Sequence, residues 1–196
     1  TAATVSAVAD PPPPADVVIR DPPPLRRVLT LEWNPLPLVT LGKVSGNIVL
    51  APIDHHAIVV SPFYASTTTE PIFVYDDAGN ATQLPEQRFR GYGAEVGYRY
   101  YGGLGGPRGF FVGPSLMFGS FTATAANASE THFSDFGFAG DIGYEALIAD
   151  GFAISLGGGL QYLTTSTTIP DQQFPAKVYA NRAVRPRLLL SFGLAL

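Results

Sequence analysis

The 196-residue chain contains no cysteine, only two lysines (Lys43 and Lys177), and no apolar run long enough for a membrane-spanning helix. Without cysteine there is no disulfide framework, thiolate metal site, catalytic thiol or lipid-modified N-terminal cysteine. The missing apolar run leaves no transmembrane helix and no intact signal peptide, so an exported form would be numbered from its cleavage site. Charged residues are 14% of the chain, well below the roughly 25% of ordinary soluble domains. A net charge of −4 and a pI near 5.2 provide no basic patch, which argues against a nucleic-acid partner. What the chain does have is glycine (21 residues), proline (18) and a positive mean hydropathy of +0.17. It is charge-poor and apolar, yet lacks the helical way of entering a membrane.

Residues 1–26 carry two proline runs, Pro11–Pro14 and Pro22–Pro24. Such a segment favours polyproline II and has no periodic apolar face, so it reads as a flexible spacer ahead of one domain at 27–196. From there, alternation of apolar and small residues predicts eight strands, at 27–39, 43–53, 56–66, 88–101, 109–124, 132–148, 151–165 and 184–196. No helical period is sustained. The connections at "IDHHA", "GGLGGPRG" and "ADG" are short, whereas those at 67–87 and 168–183 are long and polar. Short turns at one end and long loops at the other are the asymmetry of outer-membrane barrels. The first connection, around "LGK", reads as a short exception.

Splitting each strand by parity gives one apolar face and one face of Gly, Ser and Ala. In 132–148 the first holds Phe136, Phe138, Ile142 and Tyr144, and the second holds Asp135, Gly137, Ala139, Asp141 and Glu145. The ionisable residues within strand bodies, Glu32, Glu95, Arg99, Asp135, Asp141, Glu145 and Arg187, all read onto the small-residue face. Arg90 and Arg185 read as strand-end residues on the other face. A soluble sheet usually covers its polar face with Lys, Glu and Thr. A face of small residues with a few charges of mixed sign suits the crowded interior of a membrane barrel better than an exposed surface. A soluble β-sandwich is the fallback.

Aromatic placement points the same way. With the first strand running outward, Trp33, Tyr64, Tyr92, Phe118, Phe136 and Tyr162 collect towards the long-loop end. Tyr98, Tyr100, Phe110, Tyr144 and Phe152 collect towards the short turns. Two belts around an aliphatic band are what membrane interfaces favour. On these patterns 27–196 resembles the small eight-stranded outer-membrane β-barrels of Gram-negative bacteria, the class of the OmpA membrane domain, OmpX and OmpW. The ending "RLLLSFGLAL" is similar to the terminal strand that the barrel-assembly machinery of those bacteria recognises, although it closes on Leu196 where the family has Phe or Trp. The resemblance implies an all-β, up-and-down transmembrane barrel in the outer membrane. It also implies a periplasmic N-terminal tail, a monomer, and contact with outer-membrane lipid and lipopolysaccharide. It brings no functional motif and implies no cofactor.

An eight-stranded interior is only just wide enough for side chains, and charges there must be paired. Glu32, Glu95, Arg99, Asp141, Glu145 and Arg187 are therefore expected to form an ion-pair network that plugs a polar lumen, helped by donors such as Asn34 and Asn47. The alternative is a narrow channel for small or hydrophobic solutes. "HFS" (His132 and Ser134) is similar to the His-x-Ser of outer-membrane lipid A deacylases, in which a His activates a Ser nucleophile. It sits in the sixth strand rather than the penultimate one, and Asp135 has the opposite parity. His55 and His56 beside Asp54 read as a hydrophilic turn, and Glu70, Asp76 and Asp77 lack the spacing of a calcium loop. No metal site is expected. "PIFVY" is expected to extend a hairpin beyond the membrane. The function implied is non-enzymatic: structural, or surface interaction and ligand binding through the loops at 67–87 and 168–183.

Overall fold

The computed structural model describes residues 27–75, 77–84, 86–103, 106–125, 130–148, 151–167 and 183–196. The proline-rich spacer and nearly all of the 168–183 loop lie outside the described residues. The described elements are β1 (Leu29–Asn34), α1 (Pro35–Leu41), β2 (Lys43–Ile53), β3 (His56–Thr69), β4 (Ile72–Tyr75), β5 (Ala81–Leu84), β6 (Gln87–Tyr101), β7 (Gly109–Ala125), β8 (Thr131–Ile148), β9 (Phe152–Thr165) and β10 (Ala183–Ala195).

Eight of these strands close into one barrel in the order β1-β10-β9-β8-β7-β6-β3-β2, with every described ladder antiparallel. This is the eight-stranded up-and-down barrel that the alternation predicts. The "IFVY" segment forms β4, paired only with β5 in a separate two-stranded hairpin between β3 and β6. The connections β2–β3, β6–β7 and β8–β9 share one end of the barrel with β1's start and β10's finish. The other end carries α1 and the β4–β5 hairpin.

The single strand expected over 27–39 is overturned. β1 stops at Asn34 and the chain turns into α1, whose entry carries Pro in its first turn, where the missing N–H costs nothing. Gly42 ends the helix in the left-handed conformation (φ 60°), its N–H bonded to Leu38 O. The "LGK" connection is therefore the end of a helix. Proline and leucine alternate through "PLPL", so the segment imitates a strand's period of two.

The shortened β1 leaves the barrel wall uneven. β10 pairs with β9 from Ala183 to Leu194, but on its other side β1 reaches only Phe192–Leu196. Over Ala183–Ser191 the second edge of β10 has no strand against it, and α1 lies between it and β2. Proline positions follow the ladders. Pro62 falls in a gap of the β2–β3 register, Pro114 in a gap of β6–β7, and Pro186 on the stretch of β10 without a strand on one side. A residue with no N–H is tolerated where a ladder bond is absent.

The two faces separate as the parity analysis expects. Leu31, Ile48, Leu50, Ile58, Val96, Val112, Leu116, Ile142, Leu156, Leu160, Leu188 and Leu194 are exposed on the outside. Glu32, Asn47, Arg99, Asp135, Asp141, Glu145, Ser155 and Ser191 are buried within. The inward stripe of glycine makes room for interior rings: a Cβ on Gly91 would strike the Phe121 ring, and one on Gly143 the Phe111 ring.

Candidate functional site

The lumen is layered. Towards the short turns Val49, Ala51, Ala57, Val59, Tyr101, Phe111 and Leu189 pack as an apolar floor. Towards the other end Phe89, Phe121 and Phe133 are buried together, with Phe63 and Leu41 against them. The Phe121 ring lies 5.1 Å from Phe89, 5.5 Å from Phe133 and 6.2 Å from Phe63, stacked on each. The expectation of a polar lumen is thus corrected: polar side chains fill the middle, and apolar layers bound them at both ends. Every one of these rings shares the parity of the small-residue face, so the signal was present in the alternation.

The polar layer has three knots. Arg187 Nη1 stands 3.1 Å from both Glu95 carboxylate oxygens, and its Nε 3.3 Å from Asp141 Oδ1. Tyr101 donates its hydroxyl to Glu145 Oε2 at 2.6 Å and accepts from Arg99 Nη1 at 3.3 Å. Arg99 also lies over the Phe111 ring, 4.4 Å from its centroid. Glu32 accepts from Asn47 Nδ2 (2.7 Å), Ser155 Oγ (3.0 Å) and Ser191 Oγ (2.8 Å), and Asn47 in turn accepts from Ser61. The surplus of carboxylates is met by hydroxyl and amide donors, as a low-dielectric interior demands. Glu95 and Arg99, four apart on β6, each take a partner other than the other.

Two further cations face inward. Arg185 is not an outward strand-end residue; it shares the inward parity of Arg187 and lines the lumen facing Asp135. Parity alone places it there, since 185 and 187 fall on one face of a strand. Lys43, the first residue of β2, places its Nζ 4.0 Å from the Phe63 ring centroid. It has no hydrogen bond or ion pair with any described residue. Parity places it as well, since 43 falls on one face with Ser45 and Asn47, but the alternation does not show the helix beside it.

Above the polar layer is a cavity of about 450 Å³. Its floor is Asn47, Glu95, Arg99 and Arg187, and its walls include Leu36, Pro37 and Leu41 of α1, Phe63, Met117, Phe121 and Leu163. Five successive residues of β10, Arg185–Leu189, line it. Consecutive residues of both parities meet one cavity only where a strand presents its edge, and this is the stretch that β1 leaves uncovered. The volume lies within the range of small-molecule sites.

The expected belts lie on the outer surface. Trp33, Tyr64, Tyr92, Phe118 and Phe136 are exposed outward towards the long-loop end, and Tyr98, Tyr100, Phe110, Tyr144 and Phe152 towards the short turns. Tyr162 is half-buried against Phe138. Register aligns Tyr64 with Tyr92, Phe118 with Phe136, and Phe110 with Tyr144.

The remaining sequence candidates are dispersed. His132 and Ser134 point outward, but the ring nitrogen of His132 meets Thr122 Oγ1 at 2.9 Å, and Ser134's backbone N–H donates to Ser166. Asp135 is buried on the opposite face, so the three do not converge. His55 (φ 68°) pairs its Nδ1 with Tyr101 O at 2.7 Å, and His56 its Nδ1 with Tyr98 Oη at 2.6 Å. Both therefore tie the β2–β3 turn to β6. Asp76 lies outside the described residues, and among the described residues no three His, Asp or Glu side chains gather as a metal site. No protein-family model, curated protein or solved structure matches the chain.

Proposed function

We propose that this chain is a non-conducting barrel of a bacterial outer membrane that binds a small ligand in the half-lumen beneath α1. The observation that carries the membrane reading is the outer surface. Between the two aromatic rows no Asp, Glu, Lys, Arg or His points outward on any barrel strand, and Leu, Ile and Val fill the band. Apolar surface on that scale, continuous around a closed wall, is what hydrocarbon solvates and water does not. Closure removes the sheet edges that hydrocarbon does not tolerate, and the stretch of β10 without a strand on one side lines the cavity. The likeness to small outer-membrane barrels supports the location, the periplasmic placement of the chain's start, monomeric state and insertion by the barrel-assembly machinery.

The binding reading rests on the floor. A pore would need a continuous polar path, whereas here the Arg187 and Arg99 knots lie on an apolar plug of Tyr101, Phe111 and Val49. A cavity closed below and lined by both apolar and charged groups suits ligand retention better than passage. The outward, dispersed placement of His132 and Ser134 gives lipid-ester hydrolysis no assembled triad.

Two measurements test the proposal. Refolded into lipid vesicles, the barrel shifts its gel migration on boiling and gives no stable single-channel openings in a planar bilayer. A protein that stays water-soluble without detergent overturns the membrane reading, and reproducible unitary currents overturn the closed floor.

A further inference from the structure

We infer that the half-lumen cavity holds a single-chain amphiphile with an anionic head, its head on Lys43 and its tail passing between α1 and β10 into the surrounding acyl chains. This inference rests on the membrane-barrel reading above.

The head is set by charge. Four cations line the cavity, Lys43, Arg99, Arg185 and Arg187, against two carboxylates, Glu95 and Asp135. The chain as a whole carries the opposite balance, a net charge of −4. Three of the four cations are already engaged: Arg187 by Glu95 and Asp141, Arg99 by the Tyr101–Glu145 pair, and Arg185 by facing Asp135. Lys43 alone makes no hydrogen bond or salt bridge with a described residue: the acid whose charge reaches it, Glu95, is already held by Arg187, and the face of Phe63 lies beneath its Nζ. A buried ammonium over an aromatic face, whose acidic neighbour is taken by another cation, is suited to receive an anionic group.

The tail is set by the wall. Between β2 and β10 the wall is α1 rather than a strand, and among the described residues no backbone hydrogen bond crosses from α1 to β10. Non-helical backbone at membrane depth is tolerated where it lines a cavity, and the uncovered edge of β10 does so. α1 has no charged residue, and its Leu38 and Val39 are exposed on the outer side while Leu36 and Leu41 line the cavity. The seam has no registered backbone bonding among the described residues, and it has apolar side chains on both sides, Leu36, Pro37 and Leu41 of α1 and Pro186, Leu188 and Leu189 of β10. A chain lying through it meets these side chains.

The test uses the barrel in lipid nanodiscs, with folding verified by the shift on boiling, and radiolabelled dodecanoate as probe against empty discs. Saturable binding of one dodecanoate per barrel is expected. It should weaken tenfold or more in Lys43→Gln and return in Lys43→Arg. Dodecanol and dodecyltrimethylammonium should compete at least tenfold less well than dodecanoate, and acetate or inorganic phosphate no better than they do. A dodecanoate with a diazirine at its tail end should cross-link peptides containing 36–41 or 184–190, suppressed by excess unlabelled dodecanoate. Binding unchanged in Lys43→Gln overturns the anionic head while leaving the cavity as a binding site. Competition by acetate or phosphate equal to dodecanoate overturns the amphiphile in favour of a simple anion. Cross-links confined to peptides around Phe89 and Phe133 overturn the seam. No saturable binding by a barrel that folds and shifts on boiling overturns this inference without touching the membrane reading.

Discussion

Replacing Arg187 with methionine removes a guanidinium that holds two carboxylates at once, Glu95 at 3.1 Å and Asp141 at 3.3 Å. The arginine and glutamate side chains are 16% and 13% exposed and the aspartate 7%, so solvent screens them little. Breaking a buried pair by deleting one partner costs about 3–5 kcal/mol, because the remaining charge is left uncompensated. Here Arg187 borders the cavity and Lys43 is close enough to act on Glu95, which puts the expectation at the lower end, about 3 kcal/mol. Converting Glu95 to glutamine in the same chain removes one stranded charge, so Arg187→Met/Glu95→Gln should be more stable than Arg187→Met by about 1–2 kcal/mol. Trp33, the only tryptophan, sits on the outer face and reports unfolding by fluorescence. Urea titrations of vesicle-refolded protein, extrapolated linearly, give each ΔG. A single variant within about 0.5 kcal/mol of the parent, or two substitutions that simply add, would refute the claim that this knot holds the lumen together.

Three other substitutions probe separate layers. Gly91→Ala forces a methyl into the Phe121 ring and should cost about 1–3 kcal/mol by overpacking, part of it regained in Gly91→Ala/Phe121→Leu by the same titration. Tyr101→Phe strips the hydroxyl between Arg99 and Glu145 and should lower stability by about 1–3 kcal/mol with little change in the circular dichroism of the sheet. Gly42→Ala combines φ 60° with a Cβ only 2.6 Å from Ser66 O, so it should destabilise by about 1 kcal/mol or more and loosen α1, read as faster amide exchange over 36–42.

The strands and their two faces were legible because a period of two is written residue by residue, and a barrel wall has to repeat it eight times. The charges of the lumen were legible for the same reason: Glu95, Arg99 and Asp141 share parity with glycine, which a crowded interior needs. Their partners were not. Arg187 meets Glu95 across 92 residues of chain, a pairing fixed by barrel shear rather than by any local spacing. α1 was hidden because its seven residues are too short for a 3.6-residue period to stand out, and "PLPL" supplies a false alternation. Lys43 carries the inward parity of Ser45 and Asn47, but its surroundings were hidden with α1, which stands beside it. The interior phenylalanines carried the right parity, but phenylalanine is common on either face of a strand, so only closure of the wall shows which way they point.

The short contact of β1 with β10 also bears on how the barrel comes together. Thr30–Trp33 must find Phe192–Ala195, partners at opposite ends of the chain, while the other ladders join strands much nearer in sequence. Joining distant segments carries the largest loop-closure entropy, and contacts of that kind form late. Here the final joint asks only for Leu29–Trp33 against Phe192–Leu196, with α1 completing the circumference by packing instead of registered bonding. The ring can therefore shut without zipping a full-length strand into place. The same brevity makes this joint the first place for the ring to part, which concentrates breathing of the whole wall at one meridian.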